Sequence, residues 1–156
     1  EAPDLQSGTP VIYLADNLDE PEKLGWCIDT QGRGFGEVLH AHSCKPASQG
    51  VRDTQFSYDA ESGQIRSVAF PEYCMAMSGP DDMAAPFGLM KCMADDPQQI
   101  FAYDEASMEI RIGSDASTCV LVAPNSFKAG PFHSRDLLHA DCGSVEDKFK
   151  QWIVKQ

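Results

Sequence analysis

The sequence predicts an all-β fold made of three copies of one four-strand unit. Cysteines within apolar runs recur at nearly equal intervals, at Cys27, Cys74 and Cys119. Each is followed by a second cysteine and then by an aromatic residue, and these aromatics are Phe56, Phe101 and Trp152. Short β-branched and aromatic runs separated by Gly/Pro-rich turns indicate strands, and no segment has a helical apolar period. A regular period of this kind predicts a repeat architecture.

The four strands follow one another in the same order in each repeat. The first is a short apolar run, at 11–14, 64–70 and 109–112; the second carries the first cysteine. A Gly/Pro-rich turn comes next, at 31–36, 78–86 and 123–131, before the strand of the second cysteine and the strand of the aromatic. Twelve strands in three pseudo-symmetric units are the pattern of a β-trefoil, with repeats at about 11–59, 60–104 and 105–156. Residues 1–10, rich in Pro, Ser and Gly, are predicted to be a flexible lead-in.

Composition limits the classes of function. The 156 residues, 42% of them hydrophobic, fit one domain with its own core, and the net charge of −12 disfavours nucleic acid. Six cysteines and a start at Glu1 rather than Met lead us to expect an exported protein in a secreted, extracellular or otherwise oxidising setting. No run approaches the ~18 apolar residues of a membrane span. Without a catalytic or cofactor motif, we expect neither an enzyme nor a cofactor.

Three features together resemble a known family. They are the apolar-Cys-apolar strand, the second cysteine after an apolar alternation, and a terminal Q-x-(W/F) motif, which Gln99-Ile100-Phe101 fits fully. Thr54 and Lys150 replace the glutamine in the other two repeats. From residue 11 to 156 the chain resembles ricin-B-like lectin domains, also called carbohydrate-binding modules of the Q-x-W type. The resemblance implies a secreted module that binds galactose-type or related glycans.

The repeat and the resemblance imply one disulfide in each unit. The expected pairs are Cys27 with Cys44, Cys74 with Cys92, and Cys119 with Cys142. Neither C-x-x-C spacing nor a Cys/His zinc pattern occurs, so the cysteines are predicted to serve the scaffold. The predicted shared core comprises the three aromatics together with Leu39, Leu89 and Leu137.

The resemblance also points to a sugar site. In such domains an Asp two residues after the first cysteine accepts hydrogen bonds from ring hydroxyls, and an aromatic two residues before the second cysteine stacks on the sugar. The first repeat has Asp29 at the first position, whereas the others have Ala76 and Leu121. Neither Ala nor Leu can accept a side-chain hydrogen bond. One degenerate site, in the first repeat, is therefore predicted.

The other residues of this site follow from their positions. By strand alternation His40 and His42 face outward together, with His42 at the stacking position and His40 at a polar contact. Phe35 is expected to complete the platform, and Asp53 and Thr54 stand where the family has a polar contact and the motif glutamine. A second interpretation makes Asp29 a turn-stabilising residue and the histidines ordinary exposed side chains.

Three further features have alternative interpretations. His40 and His42 are a possible start of a zinc site, but no further ligand is apparent nearby in sequence, and no metal is expected. The acidic segment 16–20 lacks the spacing of a calcium loop and is expected to be a solvated loop. The loop from Phe127 to Phe132 is either a contact for a protein partner or a local cap. The alternative function is a structural or assembly subunit of an extracellular or toxin-like complex, without sugar binding.

Overall fold

The computed structural model describes residues 1–30, 38–77 and 86–156. Within these ranges the chain forms fourteen strands, which are β1 (Val11–Leu14), β2 (Trp26–Thr30), β3 (Leu39–Ser43), β4 (Phe56–Asp59), β5 (Gln64–Ser67), β6 (Tyr73–Met77), β7 (Phe87–Lys91), β8 (Phe101–Asp104), β9 (Glu109–Ile112), β10 (Asp115–Val122), β11 (Phe127–Ala129), β12 (Phe132–Arg135), β13 (Leu137–Asp141) and β14 (Trp152–Lys155). Strands β11 and β12 form a hairpin inside the third repeat. The other twelve confirm the predicted β-trefoil of three four-strand repeats.

The three sheets explain the threefold arrangement. Each joins the last strand of one repeat to the first three of the next, in the orders β4-β5-β6-β7, β8-β9-β10-β13 and β14-β1-β2-β3. The third is extended by β12 and β11 beyond β3. Strand β1 pairs antiparallel with β14, with Val11 opposite Lys155, so the first and last repeats are joined as the others are. Four short 3₁₀ turns and no α-helix occur in the described ranges, which therefore include no helix that could cross a membrane.

Equivalent residues of the three repeats meet in one core. The predicted aromatics are buried in a single cluster, together with the isoleucine at the second position of each repeat's first strand and the predicted leucines: Phe56, Phe101, Trp152, Ile12, Ile65, Ile110, Leu39, Leu89 and Leu137. Trp152 also donates its indole N–H to the Val120 carbonyl oxygen at 2.9 Å, which satisfies the one polar group of the buried ring. The predicted core is thereby confirmed.

The disulfides have the expected connectivity. They join Cys27 to Cys44, Cys74 to Cys92 and Cys119 to Cys142, each within one repeat. In all three the Cα atoms lie 5.0 Å apart. All six cysteines are therefore bonded. In each unit the bridge joins the second strand to the residue that follows the third strand.

The residue two positions before the core aromatic is buried but makes different contacts in each repeat. Gln99 donates to the Lys91 carbonyl at 2.8 Å and pairs with the amide of Gln64 at 3.3 Å. In the third repeat, Lys150 forms an ion pair with Glu109 at 2.8 Å. Gln64 and Glu109 are the first residues of β5 and β9, so an amide pair and an ion pair occupy equivalent places.

Residues 1–10 contain no strand, yet they are attached to the first repeat. The Asp4 amide donates to the Lys23 carbonyl at 2.7 Å, and the Gln6 carbonyl accepts from the Ala47 amide at 2.8 Å. Leu5 packs against a small cluster around the Cys27–Cys44 bridge. The prediction of a flexible lead-in therefore misses these anchoring contacts, which a sequence rich in turn residues does not reveal.

The acidic segment is less exposed than predicted. Glu20 is buried, and its carboxylate accepts hydrogen bonds from the backbone amides of Glu22 and Leu24 and from the Ser43 hydroxyl. Asn17 is also buried and accepts from the Gly25 amide at 3.0 Å. The expectation of a simple solvated loop is wrong for these two residues, because their side chains satisfy backbone groups of the turn that leads into β2.

Candidate functional site

A pocket of about 420 Å³ lies against the outer side of β2 and β3 in the first repeat. Its volume lies within the range of ~300–1,000 Å³ that is usual for ligand sites. Residues from the first repeat form one side and residues of the β11–β12 hairpin form the other. They are Asp29, His40, His42, Lys45, Gln49, Val51, Asp53, Phe127, Ala129, Pro131, Phe132 and Ser134.

A buried carboxylate forms the base of the pocket. Asp29 on β2 stands opposite His40 on β3, and the His40 Nε2 donates to Asp29 Oδ2 at 2.6 Å. Asp29 is only 1% exposed, and its other oxygen, Oδ1, accepts no hydrogen bond from the residues that the structure describes. The Lys45 ammonium lies 3.7 Å from Oδ1. A buried acceptor without a donor requires a functional or structural explanation, and a bound ligand would supply one.

The two histidines offer further hydrogen-bond acceptors. His42 Nδ1 donates to the Ser43 carbonyl at 2.8 Å, which leaves Nε2 as an acceptor in the neutral ring. Burial lowers the pKa of His42, although the charge of Asp29 offsets part of this effect. Nδ1 of His40 has no hydrogen-bond partner in the described part of the chain. Because His40 Nε2 must carry the hydrogen that Asp29 accepts, Nδ1 is an acceptor in the neutral ring.

The predicted placement of these histidines is correct in part. Leu39 and Ala41 belong to the core, and His40 and His42 share the opposite face, with ring centroids 5.5 Å apart. They are, however, only 8% and 6% exposed. The interpretation as ordinary exposed residues is therefore wrong, because the hairpin of the third repeat covers this face.

The remaining predicted site residues do not all line the pocket. Asp53 lines the pocket and holds the Lys45 ammonium at 3.0 Å. Thr54, at the position of the motif glutamine, is buried outside the lining, with its hydroxyl 3.5 Å from that of Ser7. Phe35 lies outside the described residues.

The hairpin supplies the wall that sequence reasoning did not place. Strand β12 pairs with β3, with Ser134 opposite His42, and the Phe132 ring meets the His42 ring edge-on at 5.5 Å. The observed contacts agree with the interpretation of the loop from Phe127 to Phe132 as a cap. The loop belongs to the third repeat, but it covers the first repeat. In the sequence, Gly130 and Pro131 lie between two short runs that each begin with a phenylalanine, and this pattern indicates a hairpin.

The equivalent positions of the other repeats offer no such acceptor. Ala76 stands opposite Gly88, and Leu121 opposite Leu138. Potential metal ligands cluster, within the ranges that the structure covers, at Glu109 beside the third disulfide. Cys119 and Cys142 are bonded to each other, so neither is a thiolate that could bind a metal. The pocket histidines and Asp29 do not form a cluster of this kind there.

The twelve-strand β-trefoil thus carries a polar pocket on the outer face of its first repeat. The chain matches the family model of the ricin-type beta-trefoil lectin domain over residues 20–151, and it belongs to this family. A search of curated protein sequences finds no match.

Several solved structures share the fold. The C-half of the earthworm R-type lectin, in complex with GalNAc, aligns with a TM-score of 0.65 at 13% identity, covering 94% of this chain and 98% of that one. The β-trefoil lectin of the Vibrio vulnificus hemolysin/cytolysin, with N-acetyl-D-lactosamine bound, gives 0.59 at 13% identity, with 94% and 93% covered. A chain of the cytolethal distending toxin from Actinobacillus actinomycetemcomitans gives 0.60 at 15% identity, with 93% and 90% covered.

Proposed function

We propose that the protein is a secreted carbohydrate-binding module, without catalytic activity of its own, that holds one glycan in the pocket of the first repeat. The observation that carries this proposal is Asp29, a buried carboxylate with one oxygen paired to His40 and the other without a hydrogen-bond donor among the described residues. Membership of a lectin-domain family supports the ligand class. Three disulfides support an oxidising compartment.

The pocket is complementary to neighbouring hydroxyl groups. Asp29 Oδ1 can only accept, and His40 Nδ1 and His42 Nε2 are acceptors while the rings are neutral. A ligand must therefore present several donors close together, as the hydroxyls of a sugar ring do. Hydrogen bonds to a charged group are about twice as strong as neutral ones, so Asp29 contributes most to binding. The rings of His42 and Phe132 offer an apolar surface for the sugar's C–H groups.

The first glycans to test are of the galactose type. The earthworm lectin was crystallised with GalNAc and the Vibrio lectin with N-acetyl-D-lactosamine. A glycan array identifies the preferred ligand, and calorimetric titration then compares wild type with Asp29→Asn. Asparagine keeps the shape of the side chain but replaces the charged acceptor, so the protein should fold and binding should fall below detection. Each lost hydrogen bond to a charged group costs ~1.5–3 kcal/mol.

The matched control is Asp95→Asn, which makes the same chemical change at an exposed position of the second repeat. Its titration curve should overlay that of wild type. Unchanged binding by Asp29→Asn would remove Asp29 from the site. A wild-type protein with intact disulfides that binds nothing on the array would overturn the proposed function.

The second candidate is a structural or assembly subunit that contacts other proteins. It is favoured by the exposure of two large apolar side chains in the second repeat, Met90 and Met93, and by the loss of the acceptor at Ala76 and Leu121. Phe127, half exposed at the end of the hairpin, is the residue that a protein partner would touch there. An empty glycan array would favour this candidate over the first.

A further inference from the structure

The pocket is built by two repeats that lie far apart in sequence. Strand β12 adds to the edge of β3, with Ser134 opposite His42 and Arg135 opposite Ala41. The other two sheets stop at four strands within the described ranges, so this wall has no counterpart in the second or third repeat. The first-repeat pocket therefore has a specific second side, supplied by the insertion in the third repeat.

The wall is held in place by a buried arginine. Arg135 is 2% exposed, and its guanidinium lies 4.7 Å from the centroid of the Trp26 ring. It donates to the Ala123 carbonyl at 2.8 Å and forms an ion pair with Asp19, which also accepts from the Ser126 hydroxyl. These contacts tie both ends of the hairpin to the first repeat. The wall is thus a fixed part of the pocket.

The two sides of the pocket differ in chemistry. Charged and imidazole side chains line the first-repeat side, whereas Phe127, Ala129, Pro131 and Phe132 line the hairpin side. Val51 adds an apolar group, and Phe127 and Val51 remain 50% and 43% exposed. Large apolar side chains at the rim gain free energy when a ligand removes them from water. Phe127 stands opposite Ser134, and Ser134 stands opposite His42, so the backbones of Phe127 and His42 lie two strand spacings apart, about 9–10 Å, which is more than one sugar ring spans.

We infer that the pocket selects a sugar that carries an apolar substituent, with the hydroxyls of the ring on Asp29 and the substituent against Phe127 and Val51. This inference rests on the proposed function and names the ligand class for the same site. The substituent is an N-acyl group on the ring or an apolar aglycone, because both place apolar atoms beside a hydroxyl-bearing ring. Ser134 lines the pocket from the hairpin, and its buried hydroxyl has no hydrogen-bond partner within the described ranges.

Two pairs of ligands test the inference by titration. Galactose and N-acetylgalactosamine differ by an N-acyl group, and methyl and phenyl galactosides differ in the aglycone. Wild type should prefer the substituted member of at least one pair by roughly five- to tenfold, as expected for partial burial of an aromatic rim. The pair that shows the preference identifies the position of the substituent.

The variant Phe127→Ala should reduce that preference to near unity and leave the affinity for the unsubstituted sugar almost unchanged. Met93→Ala is the matched control, since it truncates another exposed large apolar side chain, in the second repeat and outside the pocket. Independently of any variant, the proton signals of the acetyl or phenyl group should shift on binding to wild type, because the substituent lies against the Phe127 ring.

The outcomes separate the two proposals. Equal affinities within both pairs, or a preference that survives Phe127→Ala, would overturn the inference while leaving sugar binding intact. Loss of all binding in Asp29→Asn together with a substituent preference in wild type would support both. If wild type binds none of the four ligands nor any array glycan, the proposed function fails and the inference fails with it.

Discussion

The three repeats place different residue pairs at one backbone position. Two residues after the first cysteine, the cross-strand partners are Asp29 with His40, Ala76 with Gly88, and Leu121 with Leu138. The register is the same in each case, yet only the first pair carries a hydrogen bond between side chains, at 2.6 Å. In the other two pairs no side chain contains a polar atom. The same strand pairing thus holds a polar site in one repeat and none in the others.

On the core side, in contrast, the three repeats have nearly equivalent side chains. An isoleucine and an aromatic residue from each unit meet in the core. Packing constrains these positions because interiors are close-packed and a change of volume is felt by all neighbours. The outer positions are free of that constraint, so they can differ between repeats while the fold stays the same.

The largest expected effect is on the free energy of unfolding when one of the three equivalent core aromatics is replaced. Replacing Trp152 by Ala should lower the free energy of unfolding by ~3–5 kcal/mol, because a buried ring is lost and a cavity remains. Phe56→Ala and Phe101→Ala should each cost a similar amount. Denaturant unfolding monitored by circular dichroism measures the three values. A loss below ~1 kcal/mol at any of them would show that the repeats do not share the core equally.

A smaller effect distinguishes the third repeat from the second. Partial burial opposes ionisation of Glu109, but hydrogen bonds from Arg111, Lys150 and Ser107 lower its pKa to about 2 from the usual 4.5. A lowered carboxyl pKa stabilises the folded state above pH ~4.5, and this contribution is lost as the pH falls towards ~2. Its size corresponds to as much as ~3 kcal/mol. The amide pair of Gln64 and Gln99 in the second repeat has no such dependence on pH.

The variant Glu109→Gln tests this difference. Its deficit in unfolding free energy relative to wild type should be greatest at neutral pH and should shrink towards zero near pH 2, as measured by urea unfolding across that range. Glu72→Gln, an exposed change in the second repeat, is the control and should follow the wild-type curve. A deficit that does not depend on pH would mean that the ion pair with Lys150 is unimportant and that only packing was lost.

The smallest effect concerns the pocket. Burial lowers the pKa of His42 from 6.5, so the unfolded chain takes up a proton at this residue more readily than the folded one. Stability from this residue is complete above pH ~6.5 and declines as the pH falls below it towards the folded pKa. The variant His42→Gln should remove this decline in stability with falling pH. The chemical shift of the His42 Cε1 proton, followed as a function of pH, reports the pKa of His42 directly. A titration midpoint above 6.5 would contradict the expected direction of the pKa shift.

The repeated part of the structure could be predicted from the sequence. The two cysteines and the aromatic occur once in each repeat, and this threefold pattern was enough to place twelve strands and the core. The disulfide pairs and Asp29 also required the resemblance to ricin-B-like domains. Alternation along a strand then placed His40 and His42 on one face.

The unrepeated part could not be predicted. Ser134 and Phe132 meet the first repeat through a hairpin that occurs, within the described residues, in the third repeat alone. Nothing in a single sequence indicates which sheet edge such a hairpin will join. Lys45 and Val51 enter the pocket from the irregular segment after β3, where no periodicity applies. Glu20 appeared to belong to a solvated acidic run because its partners are mostly backbone amides, which have no signature in the sequence.

The pairing of β1 with β14 has a consequence for the order of assembly. These strands lie at opposite ends of the chain, with Ile12 opposite Val154, so they can meet only after the whole domain has been synthesised. Contacts of such long sequence separation form slowly because loop closure is entropically costly. The disulfides, in contrast, close local segments separated by 17, 18 and 23 residues. Oxidation can therefore secure each unit as it emerges, and ring closure between the outer units completes the domain last.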